Sequence, residues 1–232
     1  MIKWQAIAFD LDDTLYPERD FVLSGFRAVA RWAESHLDIS FERGFPTLKR
    51  LFEKGIRGNT FNHWLSLQDV DFDEDLIEKL VQIYRSHQPE IRPYPAVPGL
   101  LKRLHSKYRL ALVSDGYLSV QQSKIDALKL RSYFDVIIFS DEWGKDAWKP
   151  DIKAFEVLVK KLAIRGEEAI YVADNPIKDF LGANRLGMTT VWIRRTGGEY
   201  SDLEPPSTDH APHLEFSSLR EFAAHLTAGK IA

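Results

Sequence analysis

The sequence predicts an α/β fold: a doubly wound parallel sheet forming a Rossmann-like core, with an inserted all-helical cap. Three observations predict it. Strand and helix patterns alternate through the second half of the chain. Residues between 17 and 92 read as helix wherever they show a period. Three apolar segments end in polar residues, at Asp10 with Asp12, at Ser114 with Asp115 and Gly116, and at Asp174. The C-terminal ends of parallel strands share one edge, so these groups are expected to meet although far apart in sequence. We therefore expect residues 1–16 and 93–232 to form the core and 17–92 the insertion.

The elements follow in order. Ile2 to Phe9 is apolar and stops at Asp10, which suits a buried strand. From Glu18 the period lengthens, with Val22, Phe26, Val29, Ala33 and Leu37 on one helical stripe. Phe45 to Lys54 and Thr60 to Leu67 are expected as shorter helices. Asp71 with Glu74 is expected as a capping box before Leu76, Ile77, Leu80, Val81 and Tyr84. Pro89 to Pro98 carries four prolines and reads as an extended return connection. Strands are then expected at Arg109–Val113, Val136–Phe139, Ala169–Ala173 and Thr190–Ile193. Helices are expected at Leu118–Leu130, Asp151–Leu162 and Ile177–Leu186, with Pro150 and Pro176 in first turns and Asn175 as an N-cap. Thr196 to Pro212 reads as a surface loop before a last helix from Ser217 to Leu226.

Composition narrows the function. A chain of 232 residues can bury a sizeable core. Its net charge of −3 offers no basic field for nucleic acid, and with no Cys there is no thiolate nucleophile and no cysteine metal site. No apolar run is long enough to span a bilayer and no signal segment stands out, so a soluble cytoplasmic protein is expected. Composition does not decide between monomer and homodimer.

Two carboxylates at a strand end can divide labour, one ionised as nucleophile or metal ligand and the other protonated as an acid. In extended backbone Asp10 and Asp12 would leave the same face. Taken singly, Asp-x-Asp is a common strand-to-turn junction, Ser-Asp-Gly a turn and Lys-Pro a helix start. Taken together and in order, Asp10-Leu11-Asp12-Asp13-Thr14, Ser114, Lys149-Pro150 and Asp174-Asn175-Pro176-Ile177-Lys178-Asp179 resemble the four motifs of the haloacid dehalogenase superfamily. Gly182-Ala183-Asn184-Arg185-Leu186-Gly187-Met188 resembles the segment after the last motif, so the likeness spans nearly the whole chain.

That resemblance implies a magnesium-dependent phosphatase of small phosphorylated metabolites, nucleotides or sugar phosphates, working through an aspartyl-phosphate. It makes Asp10 the nucleophile, Asp12 the acid-base group, and Ser114, Asp115, Gly116 and Lys149 the phosphate-binding set. It makes Asp10, the Asp12 carbonyl, Asp174 and Asp179 the magnesium site. Dehalogenases of the superfamily lack an acid two positions after the nucleophile, so Asp12 favours phosphate chemistry. Sugar-phosphate mutases and 2-haloacid dehalogenases remain the alternatives within the superfamily, and a phospho-acceptor signalling module the alternative outside it. Two residues depart from the pattern: Asp115 stands where Asn is commoner, and Ala173 where Gly is usual. We expect the Asp115 carboxylate to turn away and support its loop. Tyr16, Arg19, Arg57, Asn62, His63 and Trp64 are further candidates for substrate contact, each with an ordinary packing or surface reading beside it.

Overall fold

The computed structural model describes residues 4–228. It divides into two compact units, one made of the chain up to Glu18 and from Arg92 onward, the other of Arg19–Ile91. The larger unit holds strands β1 (Ala6–Phe9), β2 (Arg109–Ser114), β3 (Val136–Phe139), β4 (Ala169–Ala173), β5 (Thr189–Ile193) and β6 (Leu214–Phe216). They form one sheet in the order β3-β2-β1-β4-β5-β6, every neighbouring pair parallel. The central strands β1 and β4 are buried at every position, the signature of a sheet covered on both faces.

Helices supply the covers. The unit carries α5 (Val97–His105), α6 (Leu118–Ala127), α7 (Lys153–Leu162), α8 (Phe180–Arg185) and α9 (Leu219–Thr227). Phe155, Leu158 and Leu162 of α7 and Phe180 and Ala183 of α8 pack with Ala6, Ala8, Ala111, Val113, Tyr171 and Trp192. Leu110 and Leu112, on the opposite pleat face of β2, are equally buried. The connection between α7 and β4 leaves no space at Gly166, where a Cβ would sit 1.7 Å from the Leu186 carbonyl oxygen.

The smaller unit is helical, with α2 (Phe41–Glu53), α3 (Thr60–Ser66), α4 (Glu74–Ser86) and most of α1 (Glu18–His36). Phe26, Val29, Leu48, Phe52, Phe61, Trp64 and Leu80 build its core. The rings of Phe52, Phe61 and Tyr84 surround Phe26, and the buried Trp64 indole donates to the Gly44 carbonyl at 3.0 Å.

Several expectations change. The first strand runs from Ala6, and part of its expected start lies outside the described residues. Helix α5 begins at the end of the expected connection and runs beyond it to His105, with Pro98 in its first turn, where its missing N–H costs nothing. Strand β6 pairs with β5 where no strand was expected, its short edge carrying too few residues to show a period. Helix α2 starts four residues early and contains Pro46. Asp73, not Asp71, caps α4, accepting from Leu76 N at 2.9 Å. Pro150 lies ahead of α7 and follows a cis peptide bond. Asn175 caps no helix: its Oδ1 accepts from Ile177 N at 3.0 Å in a turn, and α8 begins at Phe180.

Gly166→Ala should lower unfolding stability by about 2 kcal/mol or more, since backbone has to move to admit the methyl group. Gly99→Ala is its control: the Cβ meets only the end of the Arg103 side chain at 3.6 Å, so a helical alanine there should be neutral or stabilising in urea titration.

Candidate active site

The register of the sheet assembles the site. Phe9 lies opposite Leu112 on one side and Val172 on the other, so Asp10, Ser114 and Asp174 emerge together from three adjacent strands. Successive connections run from β1 toward β2 and β3, then return to β4 on the other side. The acids therefore sit at the point where strand order reverses, the usual ligand position of an open α/β sheet.

Lys149 lies at the centre of this group. Its Nζ donates to Asp10 Oδ1 at 2.5 Å and to the Tyr171 hydroxyl at 2.9 Å. Asp179 Oδ1 is 2.7 Å away and Asp115 Oδ2 4.0 Å away, and the lysine side chain is wholly buried. Burial favours the neutral amine, but Asp10 and Asp179, then Tyr171 and Asp115, outweigh it and hold the ammonium well above its ordinary pKa.

The neighbouring carboxyls shift in different directions. Burial pushes Asp10 up to about 7 despite Lys149, with Asp179 adding to the rise. Burial, then the charges of Asp179, Asp10 and Asp13, raises Asp174 well above the usual range. Asp174 Oδ1 accepts from Thr14 Oγ1 at 2.8 Å, and the Asp174 carbonyl accepts from the Trp192 indole at 2.7 Å. Its Oδ2 is buried and has no hydrogen-bond partner among the described residues, nor has the buried Ser114 hydroxyl. Asp179 Oδ2 accepts from Asn175 N at 2.9 Å.

Asp12 points into different surroundings. Its Oδ1 accepts from Lys124 Nζ at 2.6 Å and from the Tyr16 hydroxyl, and its Oδ2 accepts from Gln121 Nε2 at 3.0 Å. Burial alone would raise its pKa, but the Lys124 charge and these three hydrogen bonds lower it. The turn that aims Asp12 is pinned by Arg195, which donates to the carbonyls of Asp13 and Thr14 at 3.0 and 3.1 Å. Asp13 itself adopts φ +48° and accepts from Glu199 N at 2.9 Å.

In the loop after β2, Asp115 supports the loop as expected but does not turn away from the site, its Oδ2 lying 4.0 Å from Lys149 Nζ. Leu118 N, one of the amides opening α6, donates to the carboxylate of Asp141 at 2.9 Å, so its N–H is taken up within the protein. Asp115 Oδ1 accepts from Ser140 Oγ at 2.6 Å and Lys149 N at 3.2 Å, tying three loops together as a support. Its Oδ2 lies 3.7 Å from Lys178 Nζ. Gly116 has φ +113°, and a Cβ there would meet Gln121 Nε2 at 2.7 Å, so only glycine lets the chain turn into α6.

A family model described as haloacid dehalogenase-like hydrolase matches residues 7–193. The chain belongs to this family. A curated relative from Methanopyrus kandleri, named glyceraldehyde 3-phosphate phosphatase, is 33% identical over 95% of both chains. Another, named haloacetate dehalogenase H-2, from a Moraxella species, is 27% identical over 92% of this chain and 99% of its own. The fold matches a magnesium-bound haloacid dehalogenase hydrolase from Bacillus subtilis with a TM-score of 0.70 and 19% identity, covering 97% and 99% of the two chains.

Sequence reasoning missed Gln121, Lys124, Tyr171 and Lys178. A signal existed for the first two: α6 has no clean apolar stripe, and Gln121 and Lys124 share its buried positions with Val120 and Ile125. Polar residues on an inward helical face imply a polar partner. Among the more distant candidates, Trp64 is core, while Arg19 pairs with Glu53 and Arg57 lies over the Phe52 ring.

Because an amide oxygen can accept the Ser140 and Lys149 bonds, Asp115→Asn should retain near wild-type stability. Asp115→Ala leaves both donors unmatched and should cost about 1–3 kcal/mol in denaturant unfolding.

Proposed function

We propose that this phosphoric monoester hydrolase is a magnesium-dependent phosphatase of a small sugar phosphate, with Asp10 as nucleophile. The observation that carries the reading is the pair of acids after β1, each held by its own donors: Asp10 by the buried Lys149, Asp12 by Lys124, Tyr16 and Gln121. A second acid at this position serves phosphate transfer, where a leaving oxygen needs a proton, and has no equivalent task in displacing a halide from carbon. This favours the phosphatase reading over the dehalogenase one, although the family contains both. The relatives named glyceraldehyde 3-phosphate phosphatase favour a sugar phosphate over a nucleotide.

In this reading an Asp10 oxygen attacks phosphorus in line, the ester P–O bond breaks, and the leaving oxygen takes a proton from Asp12. Water then attacks the phosphoryl group on Asp10, Asp12 accepts the water proton, and the Asp10–phosphorus linkage breaks to release phosphate. Lys149 and the unpartnered Ser114 hydroxyl hold phosphoryl oxygens. The inserted helical unit is the proposed source of substrate selection.

The donor chemistry fits a hard cation. Among the described residues no three His, Asp or Glu side chains form a metal-binding group. The proposed set is two carboxylates, Asp10 and Asp174, with the Asp12 carbonyl, a sparse set that suits an ion keeping several waters. Asp174 Oδ2, buried and without a hydrogen bond, is the donor such an ion would complete. Asp179 Oδ1, 2.7 Å from Lys149 Nζ, is likewise buried without a hydrogen bond among the described residues, and Asp179 is proposed beside this set as a ligand or as support through water. Magnesium, when bound, would supply positive charge beside the transferring phosphoryl group.

Purified protein with magnesium should release phosphate from glyceraldehyde 3-phosphate faster than from nucleoside monophosphates, and excess chelator should stop it. Asp10→Asn should lower kcat more than about 10³-fold with the fold intact by circular dichroism. Robust turnover by that variant would remove Asp10 as nucleophile.

A second outcome concerns pH. Asp10 is raised from 3.8 to about 7 and Asp174 moves the same way. A carboxyl with a raised folded-state pKa contributes stability below its unfolded value and loses it as pH climbs through the folded value. In chelator, the stability of wild type relative to Asp10→Asn should therefore shrink between pH 4 and pH 7, and magnesium should oppose the loss. Thermal unfolding across that range is the measurement; a difference that grows with pH would contradict the assigned direction.

A further inference from the structure

We propose that Lys124, assisted by Gln121, is a positioning residue that aims the Asp12 carboxylate, and that the rate of leaving-group protonation depends on it. The inference rests on the phosphatase reading and adds to it two residues of α6. The geometry is specific. Lys124 and Gln121 lie three residues apart, so both side chains leave one face of the helix. Lys124 Nζ reaches Asp12 Oδ1 at 2.6 Å with its side chain 6% exposed, and Gln121 Nε2 reaches Asp12 Oδ2 at 3.0 Å. The Tyr16 hydroxyl also donates to Oδ1. Each carboxylate oxygen thus has a fixed donor, and two of the three donors come from a helix more than a hundred residues away in sequence.

A carboxylate at a turn after a strand has two free side-chain torsions. A terminal carboxyl torsion is broad and nearly two-fold, so packing alone fixes it poorly. Donors on both oxygens fix it. A proton donor has to lie within hydrogen-bond reach of the oxygen it serves, so loss of aim lowers the rate even where the acid remains. Gln121 is itself held from behind, donating to the Asp115 carbonyl as well, and Gly116 leaves the space it occupies. The loop after β2 therefore sets the direction of a side chain after β1.

Global loosening and misdirection of an acid have different kinetic signatures. Loss of the acid slows esters with poor leaving groups more than esters whose leaving group departs unprotonated. Phenyl phosphate and p-nitrophenyl phosphate have the same shape around phosphorus and differ in that need. With magnesium present, Lys124→Met should lower kcat on phenyl phosphate at least about tenfold more than on p-nitrophenyl phosphate, in the pattern set by Asp12→Asn. KM should change little. Gln121→Leu should show the same bias more weakly, and Lys124→Arg should recover part of the loss. Gln121→Leu keeps the test informative should Lys124→Met fail to fold. Equal losses on both esters, or a gain in kcat on phenyl phosphate, would overturn the positioning role while leaving the phosphatase reading in place. A wild-type protein releasing phosphate from neither ester would overturn both.

Discussion

A fully buried ammonium has to be surrounded by negative charge, and Lys149 is surrounded by groups from three neighbouring strands and from the turn before α8. Taking an ion of this kind out of water costs several kcal/mol, so a lone buried lysine would deprotonate or leave the core. Here Asp10 follows β1, Asp115 follows β2, Tyr171 belongs to β4 and Asp179 precedes α8. The charge is stable only if all these segments stand in register, and their register is what forms the site. Buried ion pairs are weak stabilising devices by themselves. The arrangement makes better sense as a preorganised electrostatic environment, built during folding and therefore needing no rearrangement when a charged ligand arrives.

The charges around Lys149 do not cancel. Asp10, Asp12, Asp115, Asp174 and Asp179 converge on Lys149, Lys124 and Lys178, leaving the carboxylates in excess. The raised pKa values of Asp10 and Asp174 are the local expression of that excess, since neither has a cation of its own sufficient to offset burial. Asp12, with a cation and two neutral donors, goes the other way. Asp115, standing where Asn is commoner in the pattern the sequence resembles, brings one more carboxyl to this group. Its Oδ1 holds Ser140 and Lys149 N, and Lys178 lies beside Oδ2. Lys178 thus offsets the departure from the pattern, which explains how this site tolerates an acid there.

The strand ends were legible because an apolar run that stops at a carboxylate has few places to put it. Asp10, Ser114 and Asp174 could be placed together from that constraint alone, before any distance was known. Features set by tertiary partners were not legible. Tyr171 reads as one more apolar residue of a buried strand until Lys149 is seen to lie 2.9 Å from its hydroxyl. Lys124 reads as a solvated helical lysine until Asp12 is found beside it. Helix α5 was hidden by Pro98, whose punctuating effect is real one turn earlier and absent in a first turn. The N-cap of α4 lies two residues beyond the expected Asp71, where the carboxylate of Asp73 accepts from Leu76 N.

The two acids also show where a period-two argument stops. Strand β1 ends at Phe9, so Asp12 lies beyond the extended backbone that would have sent both side chains to one face. Asp13 takes a left-handed conformation and the turn closes with Thr14 N on the Asp12 carbonyl at 2.6 Å. The turn gives the two carboxyls different neighbours: Asp10 meets the buried Lys149 and other acids, while Asp12 meets donors from α6. These partners move the two carboxyls in opposite directions, Asp10 up through burial and Asp12, against its burial, down through Lys124 and its hydrogen bonds. The difference between the two carboxyls therefore comes from the turn after β1 and from the helix facing it, rather than from the acids themselves.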